Sequence, residues 1–403
     1  MKKNIWIINQ YCGSIIHGMN FRSWYFAKEL KKKGHSPHII SASFSHLLYK
    51  FPATNGRFTF ENVEDIPFTW VKVAKYSGSQ SIGRVLVMIQ FMINLIFLPK
   101  KKLQKPDVII VSSLSPLPVV SAYFWSKKYK AKLLFEVRDI WPLSLIEIGG
   151  FSKLHPLVLF FGWFEKFAYI RADKVISVLP NAKPHMESRG MNKDKFIHIP
   201  NGFNMEEMKK SKDLDESIAN LIPKNKFIVG YTGSLGASNA MEYLIKASNY
   251  LEKNKNIHFV IFVKCKHLEK IKNNSKNNVS FLGEIDKSQI QSVISYFNVC
   301  YIGWHNHSLY RFGISPNKIF DYMYSGKPII HSVNTSNDLV HIAKAGISIQ
   351  PENPREIANK IIEVSNMGNE ILNKWGENGK KYVEENHTYS HLTQLLISTI
   401  NND

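Results

Sequence analysis

The segment from Ser308 to Ile330 constrains the fold of this chain more than any other stretch. Pro316 suits the first turn of a helix, because the N–H that proline lacks would have no partner there. The sequence predicts a helix over Asn317–Tyr324 that ends at Gly326, and then a short strand at Ile329–Ile330. A loop, a helix and a strand in this order are typical of an α/β fold.

The loop and the N-terminus of the predicted helix together form a candidate anion site. Backbone N–H groups and the helix dipole both favour negative charge at such a point. The first turn, which starts at Asn317, holds no acidic residue that would compete with a phosphate. The segment therefore indicates a diphosphate site, with an ordinary connecting loop of an α/β unit as the alternative.

This segment resembles the nucleotide-sugar-binding signature of family 4 retaining glycosyltransferases, in which two glutamates accompany a short Met-containing helix followed by Gly and Pro. Asp321 stands where the second glutamate of the family accepts hydrogen bonds from the ribose hydroxyls. Gly313 stands where the first glutamate contacts the transferred sugar, so the resemblance implies other sugar contacts, such as Asn317. Phe312–Met323 resembles the branch of WbuB-type enzymes of bacterial surface polysaccharide and O-antigen synthesis, which are associated with N-acetyl-L-fucosamine transfer.

A second glycine-bearing loop precedes the predicted helix over 240–250. Glycine lets a backbone approach phosphate closely, and a helix N-terminus favours an exposed anion by about 0.3–1 kcal/mol. The family often places Arg and Lys in this loop, where this chain has Ser234 and Asn239. Lys264 and Lys318 are the candidates for the missing charge, with ordinary solvated lysines as the alternative. The predicted donor-binding residues are Gly233, Ser234, Lys264, Gly313, Ser315, Asn317, Lys318 and Asp321.

The start of the chain has the pattern of the opening unit of a doubly wound sheet. The apolar strand candidate Ile5–Ile8 leads into a loop from Gly13 to Gly18 and then into a predicted helix over 21–33. In the family that this chain resembles, this loop helps to admit the acceptor, which implies an acceptor-side role for Gly13, Gly18 and Asn20. Glycines that only mark a turn are the alternative.

Leu133–Val137 is a buried-type strand candidate that ends in Arg138 and Asp139. Folds of the α/β class commonly place functional groups at the carboxyl ends of parallel strands. Many relatives in the family have His where this chain has Arg138. We predict that both residues are catalytic, with Asp139 orienting the acceptor hydroxyl or supporting positive charge on the sugar and Arg138 bracing phosphate. A plain ion pair between the two is the alternative.

With 403 residues and 44% apolar content, the chain is long enough to bury two α/β cores. The resemblance extends over nearly the full length and implies the GT-B architecture, in which two Rossmann-like domains face each other across a cleft. We place the acceptor-side domain at 1–203 and the nucleotide-sugar-binding domain at 204–383, with a helix at about 384–403 that packs back on the first domain. The apolar stretch Leu157–Phe164 is interpreted as part of a core helix.

The formal net charge of +20 indicates an anionic partner or surface. No acidic residue occurs between Ile66 and Pro106, where the apolar run Val85–Leu98 is too short to span a bilayer yet suits an interfacial helix. The basic residues of this stretch are Lys72, Lys75, Arg84, Lys100, Lys101, Lys102 and Lys105. We expect peripheral attachment to the inner face of the cytoplasmic membrane, with a buried helix and a solvated lysine run as the alternative. Nucleic acid is not an expected partner, because the sequence has neither zinc-finger spacing nor an aromatic RNA-binding signature.

Cys12, Cys265 and Cys300 are too few and too scattered for a disulfide framework or a four-ligand zinc site. The sequence shows neither a signal peptide nor a run of about 18 apolar residues, the length that suggests a membrane span, so we expect a cytoplasmic protein. His305 and His307 form the tightest histidine pair near the predicted site, but such alternation in a loop is more often incidental than metal-ligating. No metal and no cofactor are expected.

The resemblance implies transfer of an N-acetylated sugar, such as N-acetyl-L-fucosamine, from a UDP-linked donor to a hydroxyl of a lipid-linked glycan on undecaprenyl diphosphate. The anomeric configuration would be retained, with the leaving phosphate taking the acceptor proton and electrostatic stabilisation of the diphosphate supplying most of the catalysis. Two alternatives stay open. A nucleotide-sugar epimerase would use Glu136, Asp139 and Glu147 as acid/base groups, and the missing Glu, Arg and Lys suggest a catalytically weak membrane partner.

Overall fold

The chain forms two compact units, one of Met1–Pro200 with the segment from Tyr389 onward, the other of Asn201–Thr388. Each unit contains a largely parallel sheet flanked by helices, which confirms the predicted α/β class with two Rossmann-like units. The computed structural model describes residues 1–18, 21–78, 81–233, 239–263 and 272–402.

The strands of the first unit are β1 Asn4–Ile8, β2 Ser36–Ala42, β3 Phe58–Val63, β4 Ile66–Val71, β5 Val108–Ser112, β6 Lys132–Val137, β7 Lys174–Ser177 and β8 Phe196–His198. They form one sheet in the order β3-β4-β2-β1-β5-β6-β7-β8. Neighbouring strands run parallel except for β3 and β4, which are antiparallel. Fully buried strands such as β5 are typical of parallel sheets that are covered on both faces.

The helices of the first unit are α1 Arg22–Lys32, α2 Ile82–Ile96, α3 Pro118–Tyr129, α4 Leu143–Glu147, α5 Pro156–Arg171, α6 Lys183–Ser188 and α15 Tyr389–Asn401, with 3₁₀ turns at Lys100–Lys102 and Lys193–Lys195. Because strand side chains alternate between faces, β1 shows which helices cover which side. Ile5 and Ile7 share a core cluster with Trp24 of α1 and Leu392 of α15. Trp6 points the other way and meets Trp125 of α3, with 5.9 Å between ring centroids. Thus α1 and α15 lie on one face of the sheet and α3 on the other.

The β3–β4 hairpin is an element that the sequence patterns did not predict. Its two turn residues, Glu64 and Asp65, have φ values of 42° and 63°. Tight hairpin turns need this left-handed conformation, which favours Gly, Asn and Asp and is uncommon for Glu. The turn therefore lacks the usual dipeptide signal.

The strands of the second unit are β9 Phe227–Thr232, β10 Ile257–Phe262, β11 Val279–Leu282, β12 Val299–Gly303, β13 Ile329–Ser332 and β14 Gly346–Ile349. They form a parallel sheet in the order β11-β10-β9-β12-β13-β14. The helices are α7 Met205–Lys209, α8 Glu216–Ala219, α9 Met241–Tyr250, α10 Ile290–Ser295, α11 Asn317–Tyr324, α12 Leu339–Ile342, α13 Pro354–Ser365 and α14 Asn369–Asn386, with 3₁₀ turns at Lys287–Gln289 and Ser308–Phe312.

The strand order of the second sheet reverses between β9 and β12. From β9 the chain continues to β10 on one side, whereas β12 lies on the other side of β9 and leads outward to β13. In open α/β sheets, ligands bind beyond the carboxyl ends of the strands at such a reversal. The first sheet has the same kind of reversal between β1 and β5.

Helix α11 is anchored by tight packing at this reversal. Its buried residues are Ile319, Phe320, Tyr322 and Met323. Where α14 passes the end of α11, a Cβ added to Gly376 would meet the carbonyl oxygen of Gly326 at 1.8 Å. Only glycine permits this approach, so the position of α11 is fixed by the fold rather than by a ligand.

Candidate functional site

The loop, helix and strand predicted for the 308–330 segment are present beside the strand-order reversal of the second unit. The 3₁₀ turn Ser308–Phe312 leads into α11, and β13 follows from Ile329. Pro316 occupies the N-cap position of α11 without a side-chain hydrogen bond, and the first turn holds no acidic residue. The first N–H groups of α11 therefore present an uncapped positive pole to an anion.

The loop that precedes α11 is held in place by side chains from distant parts of the unit. Asn337 binds Ile314 twice, accepting from its N–H and donating to its carbonyl, both at 2.8 Å. The hydroxyl and carbonyl oxygens of Ser315 accept hydrogen bonds from Asn201 at 2.9 Å and 2.7 Å. Gly313, which directly precedes the two anchored residues, has a φ of 100°, a backbone conformation that glycine adopts without strain. The loop is thus preorganised, and the Ser315 side chain, predicted to bind the donor, holds the loop to Asn201.

Lys318 brings the two predicted phosphate loops together. Its Nζ donates to the Tyr231 hydroxyl at 2.6 Å and to Asn239 Oδ1 at 3.0 Å, and it lies 4.1 Å from the centroid of the Tyr231 ring. A Cβ added to Gly233 would lie 3.1 Å from the same Nζ. The predicted residues Gly233 and Lys318 therefore meet at the carboxyl end of β9. Tyr231 and Asn239 are the residues that position the ammonium.

At this site, burial shifts the pKa values of Lys318 and Asp321 toward neutral pH. Burial lowers the pKa of Lys318 to about 7, although the nearby Asp321 carboxylate favours its charged form. Burial likewise raises the pKa of Asp321 to about 6, against the opposing effect of Lys287 and Lys318. A bound anion would favour the charged form of Lys318. Because strongly shifted pKa values cluster at functional sites, the shifts of Lys318 and Asp321 at this reversal indicate a ligand site.

Asp321 lies on α11, three residues beyond Lys318. Its backbone oxygen accepts a hydrogen bond from Gln291 Nε2 at 3.1 Å. Its carboxylate makes no hydrogen bond to any residue within the described ranges and is partly exposed. A carboxylate of this kind can accept hydrogen bonds from two hydroxyl groups, such as those of a ribose.

Asn317 is exposed at the first position of α11, where a ligand can reach it. Three other predicted site residues, Ser234, Lys264 and Asn20, lie outside the described residues.

A buried hydrogen-bond chain supports the strands on either side of the site. Trp304 Nε1–H donates to His331 Nε2 at 3.1 Å, so the proton of this fully buried imidazole lies on Nδ1, which contacts Asp338 Oδ1 at 2.7 Å. Burial alone would raise the pKa of Asp338, but its contact with His331 lowers it. These hydrogen bonds fix the loop after β12, which leads into the 308–330 segment.

The first histidine of the pair beside this loop, His305, contacts two acidic side chains. His305 Nδ1 lies 2.7 Å from Glu352 and its Nε2 lies 3.3 Å from Glu242, and the hydrogen bond lowers the pKa of Glu352. His307 packs against His305 with 5.8 Å between ring centroids. No group of three His, Cys, Asp or Glu residues with the geometry for a metal ion occurs in the part of the chain that the structure describes.

In the first unit, Glu136 is part of a buried ion pair. Arg22 Nε donates to one carboxylate oxygen and Ser112 Oγ to the other, both at 2.8 Å. Arg22 also donates to the Ile199 carbonyl at 2.8 Å. Burial would raise the pKa of Glu136, yet Arg22 and then Arg138 lower it overall. Arg22 therefore favours the anionic form of Glu136, which ties α1 to β5 and β6, and this weakens the acid/base role considered for Glu136.

Arg138 and Asp139 follow β6 at the carboxyl edge of the first sheet, where the sequence placed them. The Arg138 backbone N–H donates to Ser113 Oγ at 3.1 Å. Asp139 is exposed as a residue, yet desolvation of its carboxyl by the surrounding protein raises the pKa of that group, against the opposing effect of Arg138 and then Arg84. Their catalytic roles stay predictions.

The loop with Gly13 and Gly18 is compact. A Cβ added to Gly13 would meet the Gly18 carbonyl oxygen at 2.5 Å, and a Cβ on Gly18, whose φ is 150°, would meet the Leu47 carbonyl at 2.5 Å. His17 closes the turn through Ser14 Oγ at 2.9 Å. The glycines are thus required by close packing, and their role toward an acceptor stays a prediction.

The sequence analysis did not identify Tyr231 as a site residue, and it considered Asn239 only as the residue that stands where the family often has lysine. A possible signal was the polar end of β9, where Tyr231 and Thr232 close an otherwise apolar strand. Thr232 N–H donates to the hydroxyl of the buried Tyr322 at 2.7 Å, which also joins β9 to α11.

Comparisons with known proteins agree with this geometry. A family model described as Glycosyltransferase Family 4 matches residues 16–207, and a model described as Glycosyl transferases group 1 matches residues 226–366. The two matches together span most of the chain. The search of curated proteins found no match.

Solved structures share the fold over the whole length. A structure titled trehalose-6-phosphate from E. coli, bound with UDP-2-fluoro glucose, has a TM-score of 0.75 at 11% identity and covers 99% of both chains. Sucrose-phosphate synthase from Thermosynechococcus elongatus has a TM-score of 0.73 at 16% identity over 98% of both chains. Anabaena HepE in complex with UDP and glucose has a TM-score of 0.64 at 14% identity over 100% of both chains. The matches to both parts of the chain, together with the shared fold, support family 4 and identify the chain as a glycosyltransferase of the GT-B class.

Proposed function

We propose that this glycosyltransferase transfers a sugar from a UDP-linked donor to a hydroxyl of a lipid-linked glycan, with retention of the anomeric configuration. One observation carries the donor assignment: the uncapped N-terminus of α11, Lys318 and the Asp321 carboxylate, which has no hydrogen-bond partner among the described residues, lie along one helix at the strand-order reversal. This arrangement offers N–H donors and a cation to a diphosphate, and an acceptor to hydroxyl groups.

In the proposed reaction, the bond between the anomeric carbon and the donor diphosphate breaks, and the acceptor oxygen bonds to that carbon. The acceptor proton passes to the leaving phosphate, so no side chain serves as a nucleophile. The N–H groups of α11 and the ammonium of Lys318 stabilise the charge that develops on the diphosphate. Asp321 holds the ribose, while Asp139 and Arg138 act toward the acceptor and the reacting sugar.

The donor class is supported by the ligands that are bound to two structural relatives. HepE is in complex with UDP and glucose, and the E. coli structure is bound with UDP-2-fluoro glucose. An N-acetylated sugar and a role in O-antigen or lipopolysaccharide synthesis rest on the resemblance of Phe312–Met323 to WbuB-type enzymes.

Attachment to a membrane surface is part of the proposal, because α2 is apolar on two sides. Its buried residues are Val87, Met88, Phe91 and Leu95. Its exposed apolar residues are Ile82, Leu86, Ile93 and Ile96. Exposed lysines follow at Lys100–Lys102 and Lys105, where they would meet anionic headgroups. Among the described residues, no helix has the length and apolar character needed to cross a bilayer.

The epimerase alternative is weakened by the site in the first unit. Glu136, one of its three candidate acid/base groups, is held as an anion by Arg22.

The proposal is tested with a panel of UDP-sugars, first by thermal shift and then by transfer to a lipid-linked acceptor. A donor that binds only the folded state raises its stability, and we expect this shift with at least one UDP-sugar. Asp321→Ala should abolish the shift, whereas Glu370→Ala, which removes an exposed acid on α14, should preserve it. Binding without transfer to any lipid-linked acceptor would contradict the reaction, and interconversion of the donor alone would establish the epimerase.

A further inference from the structure

Helix α5 packs one side of the run Leu157–Phe164 into a core cluster, as expected of a core helix, but it also exposes large apolar residues on its outward face. Leu159, Trp163 and Ile170 are exposed by 57%, 57% and 41%. Together with the exposed Lys166, they recur at intervals of three or four residues and form one helix face. The buried residues of α5 are Val158, Phe161, Gly162, Phe164, Glu165, Ala168 and Tyr169. A helix that is apolar all round is expected to meet apolar surroundings on both sides.

Helix α3 connects this face to the exposed side of α2, since α3 packs against both helices. Trp125 Nε1–H of α3 donates to the Leu95 carbonyl of α2 at 2.7 Å. On its other side, Tyr123 of α3 lies edge-on to Phe167 of α5, with 5.4 Å between ring centroids. Phe124 is exposed on α3 itself. The three helices therefore form one layer, the α2–α3–α5 layer, with large apolar side chains exposed on each helix.

The exposed charges around this layer are mostly basic. Between Ile66 and Phe135, Asp107 is the sole acidic residue. Lys127 and Lys128 are exposed at the end of α3, and the contact with Lys100 lowers the pKa of Lys128, so lysines from two segments crowd together. Such like-charge crowding on an exposed surface favours an anionic partner.

The acidic residue of α5 does not change this balance. Glu165 is buried and contacts Arg189 at 2.9 Å and His185 at 2.8 Å. The charged residues on the outward side of α5 are Lys166 and Arg171, both basic and both exposed.

We propose that the α2–α3–α5 layer is a single docking surface for an anionic lipid bilayer, with Trp163 inserted into the headgroup region. The inference rests on the proposed membrane attachment and extends it from one helix to three. Exposed aliphatic residues supply the apolar part, Trp163 is the amphipathic ring that favours the interface, and the lysines meet acidic headgroups.

The composition of the layer favours a bilayer over a protein partner. Protein interfaces concentrate aromatic residues in a core from which lysine is depleted, whereas here lysines accompany the exposed apolar residues on each segment. Helices of this kind lie in the plane of the bilayer surface, with their apolar face at the boundary of the acyl chains.

The position of Trp163 gives a direct spectroscopic test. All eight tryptophans lie within the described residues, and Trp163 alone is largely exposed. Vesicles of anionic phospholipid with brominated acyl chains should quench the fluorescence of the wild-type protein, and Trp163→Phe should lose most of that quenching while still binding. Equal quenching in wild type and Trp163→Phe would overturn the inference.

Vesicle flotation measures the contribution of α5 to binding. Leu159→Ser combined with Trp163→Ser should weaken partition onto anionic vesicles about tenfold or more, because apolar area no longer leaves water. Leu221→Ser is the matched control, since Leu221 is a similarly exposed leucine in the second unit, and its binding should equal that of the wild type. Wild-type binding by the α5 double variant would contradict the docking role of α5.

The outcomes separate this inference from the proposed function. Flotation of the wild type without quenching would remove α5 from the docking surface and leave attachment through α2. Absence of any flotation would overturn both forms of attachment. Transfer from a UDP-sugar to an acceptor in detergent is measured without vesicles, so the catalytic proposal stands or falls separately. A homodimer through this layer would appear as a doubled mass in light scattering, lost in the α5 double variant, and would overturn the inference.

Discussion

Each unit contains a pair of oppositely charged side chains that are at least partly removed from solvent, and the two pairs differ in their contacts. Arg22 and Glu136 form an ion pair at 2.8 Å, and contact with Arg22 lowers the pKa of Glu136. Lys318 and Asp321 make no ion pair, and burial brings their pKa values to about 7 and about 6. We interpret the Arg22–Glu136 ion pair as a support of the fold, and the two groups that lack a mutual ion pair as part of the proposed donor site.

The largest effect is expected from breaking the Arg22–Glu136 pair. Arg22→Met leaves Glu136 buried without its partner and should reduce the free energy of unfolding by about 3–5 kcal/mol. Urea unfolding measures this loss, and the double variant Arg22→Met with Glu136→Leu should recover much of it. An unfolding free energy in Arg22→Met within about 1 kcal/mol of the wild type would contradict the structural role.

The Lys318–Asp321 pair should respond in the opposite way. Asp321→Asn removes a charged acceptor that has no partner in the described residues, so donor binding should weaken by about 1.5–3 kcal/mol while stability is maintained. Calorimetric titration with UDP-glucose and urea unfolding of the same sample check the two halves of this prediction. Loss of stability equal to that of the Arg22 variant would erase the distinction between the pairs.

The pH dependence of donor affinity sharpens the comparison. Asp321 must be ionised to accept from ribose, so affinity should rise as pH increases through about 6. Lys318 must be protonated to meet phosphate, so affinity should fall as pH increases beyond about 7. Titrations of UDP-glucose across this range should give a maximum between the two values. In the profile of donor affinity against pH, Asp321→Asn should remove the rise on the acidic side and Lys318→Met should remove the fall on the alkaline side. Arg22→Lys should keep both.

A smaller effect concerns stability rather than binding. The folded pKa of Lys318 lies below its unfolded value, so the unfolded chain binds more protons between about pH 7 and about pH 10. The wild type should therefore gain stability relative to Lys318→Met as pH rises through this window. Denaturant midpoints at neutral and alkaline pH measure the difference, and identical pH profiles for the two proteins would show that Lys318 is not desolvated.

The sequence predicted α11 and its surroundings because the signals there are local. Pro316 and Gly326 mark the two ends of the helix, and Asp321 falls at a motif position. The Lys318–Tyr231 contact joins residues 87 positions apart, and the Arg22–Glu136 pair joins residues 114 apart. Pairings over such distances depend on the completed fold, so a pattern of neighbouring residues could not reveal them.

Two further elements escaped the sequence for different physical reasons. The β3–β4 hairpin turns at Glu64 and Asp65, whose left-handed backbone is usually signalled by glycine or asparagine. The run Leu157–Phe164 is apolar throughout, and a helix without a polar face gives no indication of which side meets solvent. The exposure of Trp163 therefore emerged only from the packing of α5 against α3.

The first and last residues of the second unit lie next to each other in space. Phe203 N–H donates to the His387 carbonyl at 3.0 Å, and His387 Nδ1 lies 3.1 Å from the Asn201 carbonyl. Residues 201–388 are thus an insertion into the first unit, and hydrogen bonds join the two ends of this insertion. If this insertion were exchanged between relatives, the distance between its two ends would stay the same. Under the proposed function, such an exchange would replace the donor contacts and leave the acceptor and membrane contacts proposed for the first unit unchanged.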